Sequence, residues 1–181
     1  MTGEAMVAVT DRGDIAADRL AALFDAHHQR LYRLARRLSR NADDARDLVQ
    51  ETFLRAARAP SSVPRQAPDD EAWLVRVLVN LCRDRWRQTA TRTRLDPTVH
   101  AVAHAQSMNP ESAVIARSVI WHALDALEPR RRAVLVMHEL EGASVAAIAN
   151  TLGITAVTVR WHLSRGRRQL AAVIRGKGET R

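Results

Sequence analysis

Cysteine is almost absent from this chain of 181 residues, which has only Cys82. A single thiol excludes an internal disulfide and therefore a fold built on disulfides. Cys82 lies in an apolar run, where a buried small hydrophobe is expected rather than a redox centre. No stretch approaches the roughly 18 apolar residues of a membrane span. The N-terminus has early acids and no basic region typical of a signal peptide. We therefore expect a cytoplasmic protein without membrane insertion.

Motifs that carry catalysis or cofactor binding are also missing. The sequence has no Walker loop, no Rossmann fingerprint and no nucleophile elbow. His27 and His28 are adjacent and His100 and His104 are four apart, but neither pair has a further ligand at metal-site spacing. No strand-like alternation and no long internal repeat is visible. These absences predict an all-helical protein with no catalytic residue, no cofactor and no metal.

Positive charge, by contrast, is in excess. The chain has 28 basic and 20 acidic residues, a net charge of +8, and 46% apolar residues. The excess is concentrated near the C-terminus, because residues 155–177 contain five arginines, one lysine and no acid. A surface of one sign is costly unless a polyanion meets it. Nucleic acid is therefore the first partner to consider, and an anionic membrane is the second.

Residues 144–170 predict a helix-turn-helix. Ser144 can cap a short first helix, and Gly153 follows its last apolar position, where a left-handed residue commonly ends a helix. Thr155 can cap a second helix that has apolar residues on one face and arginines on the other. Such a pair is typical of DNA-binding motifs whose second helix enters the major groove. The alternative is an ordinary helical hairpin with a solvated arginine face.

Two amphipathic helices are predicted near the N-terminus. Apolar residues recur at helical spacing from Leu20 to Leu38. Asn41 can cap the next helix, whose first turn has two aspartates where the helix dipole favours anions. Acidic residues of this second helix lie near its outer face, and by spacing alone such a cluster is usually a solvated surface. The residues predicted to face inward are Ala45, Leu48, Val49, Thr52 and Ala56.

A long helix with a mixed outer face follows a proline-rich loop at residues 58–71. Asp69 or Asp70 can cap this helix, which is predicted over residues 72–88. A face with tryptophan, asparagine and arginine can stack a base, read its edge and neutralise phosphate. The equally weighted alternative is a solvated face on which Trp73 packs against a neighbouring helix.

Helical periodicity is lost after residue 88 and returns from Ala113. Pro129 suits the first turn of a further helix, with Gly142 just past its end. Three arginines at residues 130–132 lie at the start of that helix, where outward-pointing amide groups favour an anion. The chain is therefore predicted to form two all-helical domains joined by a flexible linker. The predicted parts are a disordered tail at 1–14, a first domain at 15–90, a linker at 91–112, a second domain at 113–175 and a tail at 176–181.

Three segments, in this order, resemble a bacterial RNA polymerase sigma factor of the extracytoplasmic-function (ECF) type, in the sigma-70 family. DARDLVQETFLRA at 44–56 resembles the polymerase-docking segment of that family. AWLVRVLVNLCRDRWRQ at 72–88 resembles the helix that reads the minus-ten promoter element. The helix-turn-helix at 144–170 resembles the one that reads the minus-thirty-five element. The resemblance covers roughly residues 18–175 and implies a sigma2-like and a sigma4-like domain.

The resemblance implies that the chain docks on the clamp helices of core RNA polymerase, a surface that is basic in this family. The acidic face of the second helix would then contact this basic surface. The linker would follow the RNA exit path of the polymerase, and an anti-sigma factor is a further expected partner. The residues that the resemblance assigns to polymerase binding are Asp43, Asp47, Leu48, Gln50, Glu51 and Leu54.

Promoter DNA is the second partner that the resemblance implies. The loop before Trp73 would hold a flipped, unpaired base, so that melted DNA is captured without any catalytic group. The residues assigned to the minus-ten element are Trp73, Arg76, Asn80, Arg83, Asp84 and Arg87. Those assigned to the minus-thirty-five element, as base or phosphate contacts, are Thr155, Thr158, Arg160, Trp161, Ser164, Arg165, Arg167 and Arg168.

Four positions depart from the family pattern. Trp161 and His162 stand where the family commonly has Ser and Arg, which leaves the base preference open. Ala147 replaces the usual Glu of the first helix and removes a capping box. Gly166 replaces an Ala within the second helix, at a cost of about 1 kcal/mol in helix propensity.

Two other classes of protein compete with the sigma-factor interpretation. A stand-alone helix-turn-helix regulator would bind palindromic operator DNA as a dimer and without polymerase. A sigma-like adaptor would bind an anti-sigma protein and not DNA, and it would need neither basic face. An enzyme is the class that the sequence favours least.

Overall fold

Helices make up the regular secondary structure of the computed structural model, which describes residues 3–39, 41–95 and 123–178. No strand occurs within those ranges, and the predicted all-helical class is confirmed. The chain divides into two compact units, Met1–Leu78 and Val79–Arg181, and the division lies inside the third helix. In chain order, the elements are α1 (Gly3–Leu38), α2 (Ala42–Arg58), a 3-10 turn (Pro60–Ser62), α3 (Asp69–Leu95), α4 (Pro129–Leu135), a π-helical turn (Val136–Leu140), α5 (Val145–Leu152) and α6 (Ala156–Gly178).

In the first unit, α1 packs along α2. Leu31 and Leu34 of α1 and Leu48 of α2 are buried, as the helical stripes predict. Burial of each such side chain contributes roughly 1.5–3 kcal/mol relative to an exposed position. The predicted cap of α2 is confirmed, because the backbone amide of Asp44 donates to Asn41 Oδ1 at 2.7 Å.

Polar contacts fix the loop that precedes α3 beside α1. The Arg19 guanidinium donates to the carbonyl oxygens of Val63 and Pro64 at 2.8 and 2.7 Å. Farther along α1, His27 Nε2 lies 3.6 Å from a carboxylate oxygen of Asp70 in the first turn of α3. The loop expected to hold an unpaired base is thus tied to the helical core at both of its ends.

The first helix is longer than predicted. It begins at Gly3, so the prediction of a disordered tail is wrong for residues 3–14. That stretch contains no proline, and proline is the residue that most strongly stops a helix.

The third helix also differs from the prediction at both ends. The backbone amides of Asp69 and Asp70 donate to the carbonyl oxygen of Gln66 at 3.0 and 3.2 Å. These two aspartates therefore lie in the first turn, where the helix dipole favours them, and not at the N-cap position. At the other end, α3 continues to Leu95 and includes the first five residues of the predicted linker at 91–112.

Other predicted segments lie partly or wholly outside the described residues. The remainder of the predicted linker, with His100 and His104, is outside them. The C-terminal tail is helical over 176–178, because α6 ends at Gly178, and its last three residues are outside the description. Within the described ranges, no helix combines the length and the apolar character that crossing a membrane requires.

In the second unit, α4 and α5 both pack against α6. The fully buried side chains include Val134 of α4, Ile148 of α5 and Val159 of α6. Pro129 occupies the first turn of α4, as predicted. Gly142, with φ +67°, follows the π-helical turn in a left-handed conformation that suits glycine.

The predicted helix-turn-helix is present, with each local signal in its expected role. The backbone amide of Ala147 donates to Ser144 Oγ at 3.1 Å and caps α5. Gly153, with φ +63°, ends α5 in the left-handed conformation. The backbone amide of Thr158 donates to Thr155 Oγ1 at 3.1 Å and caps α6. These three residues therefore mark the start of α5, its end and the start of α6.

Candidate nucleic-acid and protein interfaces

The outer side of α2 carries a single stripe of acidic and polar side chains. Asp43, Asp47, Gln50 and Leu54 are exposed, and Glu51 is half-buried. Their spacing of three or four residues places them on one helix face. We call these five residues the α2 stripe.

Part of the negative charge of the α2 stripe is already paired. Asp43 Oδ1 accepts a hydrogen bond from Arg46 at 2.8 Å, and Glu51 lies 3.6 Å from the Arg55 guanidinium. Asp47 forms no ion pair within the described part of the chain. Exposed pairs of this kind contribute about 1 kcal/mol or less, so a basic partner could exchange with them at little cost.

Leu48 is 2% exposed, and its assignment to the polymerase-binding surface is therefore wrong. Leu48 lies on the same helix face as Ala45 and Thr52, which are fully buried. Its burial indicates which side of α2 faces inward.

A groove of about 530 Å³ lies between α1 and α2, beside the α2 stripe. Its walls include Phe24, Tyr32, Phe53, Gln50 and Leu54. Phe24 is 43% exposed, although its spacing in the sequence predicts a buried position. Its ring stands 5.0 Å from that of Phe53. A partner that contacts Gln50 and Leu54 would also reach this apolar surface.

The outer face of α3 is less exposed than the α2 stripe. Arg83 Nη2 lies 3.6 Å from Asp84 Oδ1, so these two predicted contacts partly neutralise each other. Trp86 is 39% exposed on this helix, although it is absent from the residues predicted for the minus-ten element. The sequence pattern that could have indicated it is a tryptophan with an arginine on each side. Of the residues predicted for the minus-ten element, Arg87 is exposed and the half-buried ones are Trp73, Arg76, Asn80, Arg83 and Asp84.

The outer face of α6 carries the predicted minus-thirty-five residues. Val159 and Leu163 are buried and fix which side of α6 faces outward. The two threonines at the helix start are engaged locally, because their hydroxyl oxygens are 2.9 Å apart and one of them caps the helix. The exposed predicted residues are Thr155, Arg160, Trp161, Ser164, Arg165, Arg167 and Arg168, and Thr158 is half-buried.

Arg167 is an exposed arginine of α6 that forms an ion pair with Glu139. Its Nε and Nη2 atoms donate to Glu139 Oε1 at 3.0 and 2.6 Å. This hydrogen bond lowers the pKa of Glu139 below its usual value of 4.5. An Arg167 contact to phosphate would therefore compete with an existing surface ion pair. Among the described residues, Arg165 forms no such pair.

His162 is 6% exposed and cannot touch a base while the domain is folded. Burial lowers the pKa of its imidazole, and the nearby Arg131 and Arg130 lower it further, while Glu128 opposes them. Its departure from the family pattern thus concerns the core of the domain and not the DNA-facing surface.

The arginines at the start of α4 are occupied inside the domain. Arg132 is 4% exposed and pairs with Asp125. Arg131 Nη1 donates to Gln169 Oε1 at 2.7 Å, and its guanidinium lies 5.3 Å from the centre of the Trp161 ring. The prediction of an anion site is therefore wrong for these two residues. Sequence reasoning also missed the role of Arg131 as a contact of Trp161.

Histidine, cysteine, aspartate and glutamate do not gather into a group of three or more that could hold a metal ion, among the residues that the structure describes. Cys82 is buried, as its apolar surroundings predict.

Family comparisons match two parts of the chain. Residues 23–92 match the family model "Sigma-70 region 2", and residues 117–170 match "Sigma-70, region 4". The first range contains the α2 stripe and most of α3, and the second contains the helix-turn-helix. Residues 93–116 lie outside both matches.

Three curated relatives carry the description ECF RNA polymerase sigma factor. SigE of Mycolicibacterium smegmatis is 40% identical over 157 residues, which are 80% of this chain and 57% of that protein. SigM of Mycobacterium tuberculosis is 35% identical over 167 residues, or 88% and 80% of the two chains. SigL of the same organism is 34% identical over 177 residues, or 97% of this chain and all of the relative.

Solved structures share the fold at lower sequence identity. A sigma factor RpoE, crystallised with the anti-sigma factor NepR from Bartonella quintana, is 23% identical with a TM-score of 0.58, and the match covers 88% of this chain and 96% of the other. CnrH, solved with the cytosolic domain of CnrY, is 23% identical with a TM-score of 0.59, and the match covers 91% and 95%.

Proposed function

Because the chain belongs to the ECF RNA polymerase sigma factors, we propose that it docks on core RNA polymerase, directs the enzyme to specific promoters and promotes DNA melting at the start of transcription. Sigma factors are transcription initiation factors, and this one would act without a catalytic group of its own. It would work in the cytoplasm, where polymerase and promoter DNA are found.

The observation that carries this proposal is the exposed basic face of α6. Arg160 and Arg165 project from a helix whose start is fixed by the Gly153 turn and the Thr155 cap. A rigid helix with exposed arginines suits bidentate contacts to guanine, each worth roughly 1–3 kcal/mol of discrimination. An adaptor that binds only another protein has no use for such a face.

The α2 stripe supports the contact with polymerase. Asp47 is exposed and forms no ion pair within the described residues, and Leu54 adds an apolar side chain that is 38% exposed. A basic helical partner would meet opposite charge at Asp47 and an apolar anchor at Leu54. Opposite charges increase the rate at which the two proteins associate, and an apolar anchor lowers the rate at which the complex dissociates.

An anti-sigma factor is a further proposed partner. Two solved neighbours with this fold, the sigma factor RpoE and CnrH, were determined as complexes, the first with a protein named as an anti-sigma factor. The apolar groove beside the α2 stripe is a surface that such a partner could cover.

Charge reversal on the α2 stripe tests the docking proposal. Replacement of Asp47 and Glu51 by Lys should abolish co-purification with core polymerase. Two acidic side chains of α2 would then become basic and repel the basic surface of the polymerase. The matched control replaces Asp18 and Asp25 of α1 by Lys, which makes the same change in net charge at exposed positions. If the α2 variant still binds core polymerase, or if the control loses binding equally, the proposal that α2 docks on the polymerase is wrong.

A further inference from the structure

Two exposed apolar side chains lie on the basic face of α6. Val157 is 72% exposed and Trp161 is 52% exposed. They are four residues apart, so they are neighbours one turn apart on the helix surface. Neither is needed by the core of the domain, which α6 supplies with Val159 and Leu163.

The indole of Trp161 is held in place by its neighbours. The guanidinium of Arg131 lies 5.3 Å from the ring centre, within the range of a cation–π contact. The His162 ring approaches the indole edge-on, with the ring centres 4.9 Å apart. Arg131 is itself fixed, because it donates to Gln169 at 2.7 Å and its side chain is only 12% exposed. A side chain ordered before binding loses less conformational entropy when it binds.

An apolar feature in the major groove identifies one base. Thymine presents a C5 methyl group there, where cytosine has only a C5 hydrogen and the purines present hydrogen-bonding groups. Val157 has no polar side-chain atom, and an indole has a single N–H donor. The flanking Arg160 and Arg165 are suited to guanine and phosphate, so the apolar pair adds a different kind of contact to the same face.

We propose that Trp161, positioned by Arg131 and flanked by Val157, is a specificity-determining residue that selects a thymine in the promoter through its C5 methyl group. This inference rests on the proposed function, in which α6 enters the major groove of the minus-thirty-five element. Arg131 is a positioning residue here, because it acts through the indole.

Replacement of thymine by deoxyuridine tests this inference, because it removes the methyl group and keeps every hydrogen-bonding group. The probe is a duplex selected from a random-sequence pool by the full chain assembled with core polymerase. Each thymine of its minus-thirty-five element is replaced in turn, and holoenzyme binding is measured. We expect at least one position where the replacement weakens binding roughly three- to tenfold, as the loss of one buried methyl contact implies.

Variants assign that effect to Trp161. In Trp161→Ala the thymine and deoxyuridine duplexes should bind equally, and in Arg131→Ala the difference should shrink. The control is Ile174→Ala, which removes an exposed apolar residue farther along α6 and should keep the full difference. No sensitive thymine in the wild type, or undiminished sensitivity in Trp161→Ala, would overturn the inference, and undiminished sensitivity in Arg131→Ala would overturn the positioning role. Failure to select any duplex would instead overturn the proposed function and this inference with it.

Discussion

At the scale of single residues, His162 couples the stability of the second unit to pH. Its imidazole is buried, and burial lowers its pKa below the usual 6.5. Above that pH the folded and unfolded states are both neutral at this position. Below it the unfolded state takes up a proton that the folded state resists, so stability falls as the pH falls.

We therefore expect the second unit to lose stability as the pH is lowered from about 7.5 to about 5.5, by at most about 1.4 kcal/mol per pH unit from this group. His162→Phe should flatten that dependence, because phenylalanine carries no titrating group. Thermal unfolding of the full chain at several pH values, followed by circular dichroism, measures it. An equally steep dependence in the variant would mean that other groups cause it.

Gly166 makes room for a close approach between α4 and α6. A Cβ atom built at Gly166 would lie 2.5 Å from Leu135 Cδ1 and 3.2 Å from Arg131 Cγ. Leu135 is buried, so its side chain would have to shift within the core to admit a Cβ atom at Gly166. Glycine at this position therefore lowers the helix propensity of α6 but allows α4 to pack closely against it.

Gly166→Ala should destabilise the second unit, although alanine is the better helix former. The gain in propensity is about 1 kcal/mol, and overpacking costs about 1–3 kcal/mol, so a net loss of up to about 2 kcal/mol is expected. Ser164→Ala on the exposed face is the control and should be neutral or slightly stabilising. A higher melting temperature for Gly166→Ala would contradict this prediction and would show that the Leu135 side chain can move aside at little cost in stability.

At the scale of helices, the sequence predicts what local geometry determines. Asn41, Ser144 and Thr155 cap their helices because an N-cap needs only a side-chain oxygen and an amide three residues away. Gly153 ends α5 because its left-handed conformation is a property of the residue itself.

Burial depends on contacts between distant segments and is less accessible to sequence patterns. Phe24 is exposed although its spacing predicts burial. Leu48 is buried as its spacing predicts, but the resemblance assigns it to the polymerase-binding surface. His162 is buried on a helix whose outer face is rich in arginine. The contacts of Arg131 with Trp161 and Gln169 were also not predicted, because they join residues more than 25 positions apart in the sequence. Most of the candidate site was predicted as a set of helix faces, and the exact members of each face were set by packing.

Arg165 tests the role of the α6 face in base recognition. Arg165→Ala should weaken transcription from the cognate promoter by roughly 5- to 150-fold, the equivalent of about 1–3 kcal/mol. The control is Arg175→Ala, which removes the same charge from an exposed position farther along α6. Unchanged output for Arg165→Ala in a reconstituted assay would exclude this contact.

Asn80 tests the role of the α3 face in DNA melting. Asn80→Ala should impair opening of the DNA bubble more than formation of the closed complex, because the amide would contact unpaired bases. Permanganate footprinting of unpaired thymines reports opening, and a gel-shift assay of the holoenzyme reports closed-complex binding. Equal losses in the two assays would indicate a contact to duplex DNA instead.

At the scale of the whole chain, two compact units provide surfaces of different chemistry. The first carries the acidic α2 stripe, and the second carries the arginine-rich face of α6. The matches to sigma-70 region 2 and region 4 fall on the segments that hold these surfaces. Promoter-specific transcription needs both surfaces, because polymerase binding without DNA recognition gives no promoter choice.

The most direct measurement is transcription by core polymerase with and without the purified full chain, on a pool of genomic DNA fragments with transcript starts mapped by sequencing. Addition of the chain should create a defined set of new starts preceded by shared minus-ten and minus-thirty-five sequences. Starts that stay identical to those of core polymerase alone would contradict the proposed sigma-factor function.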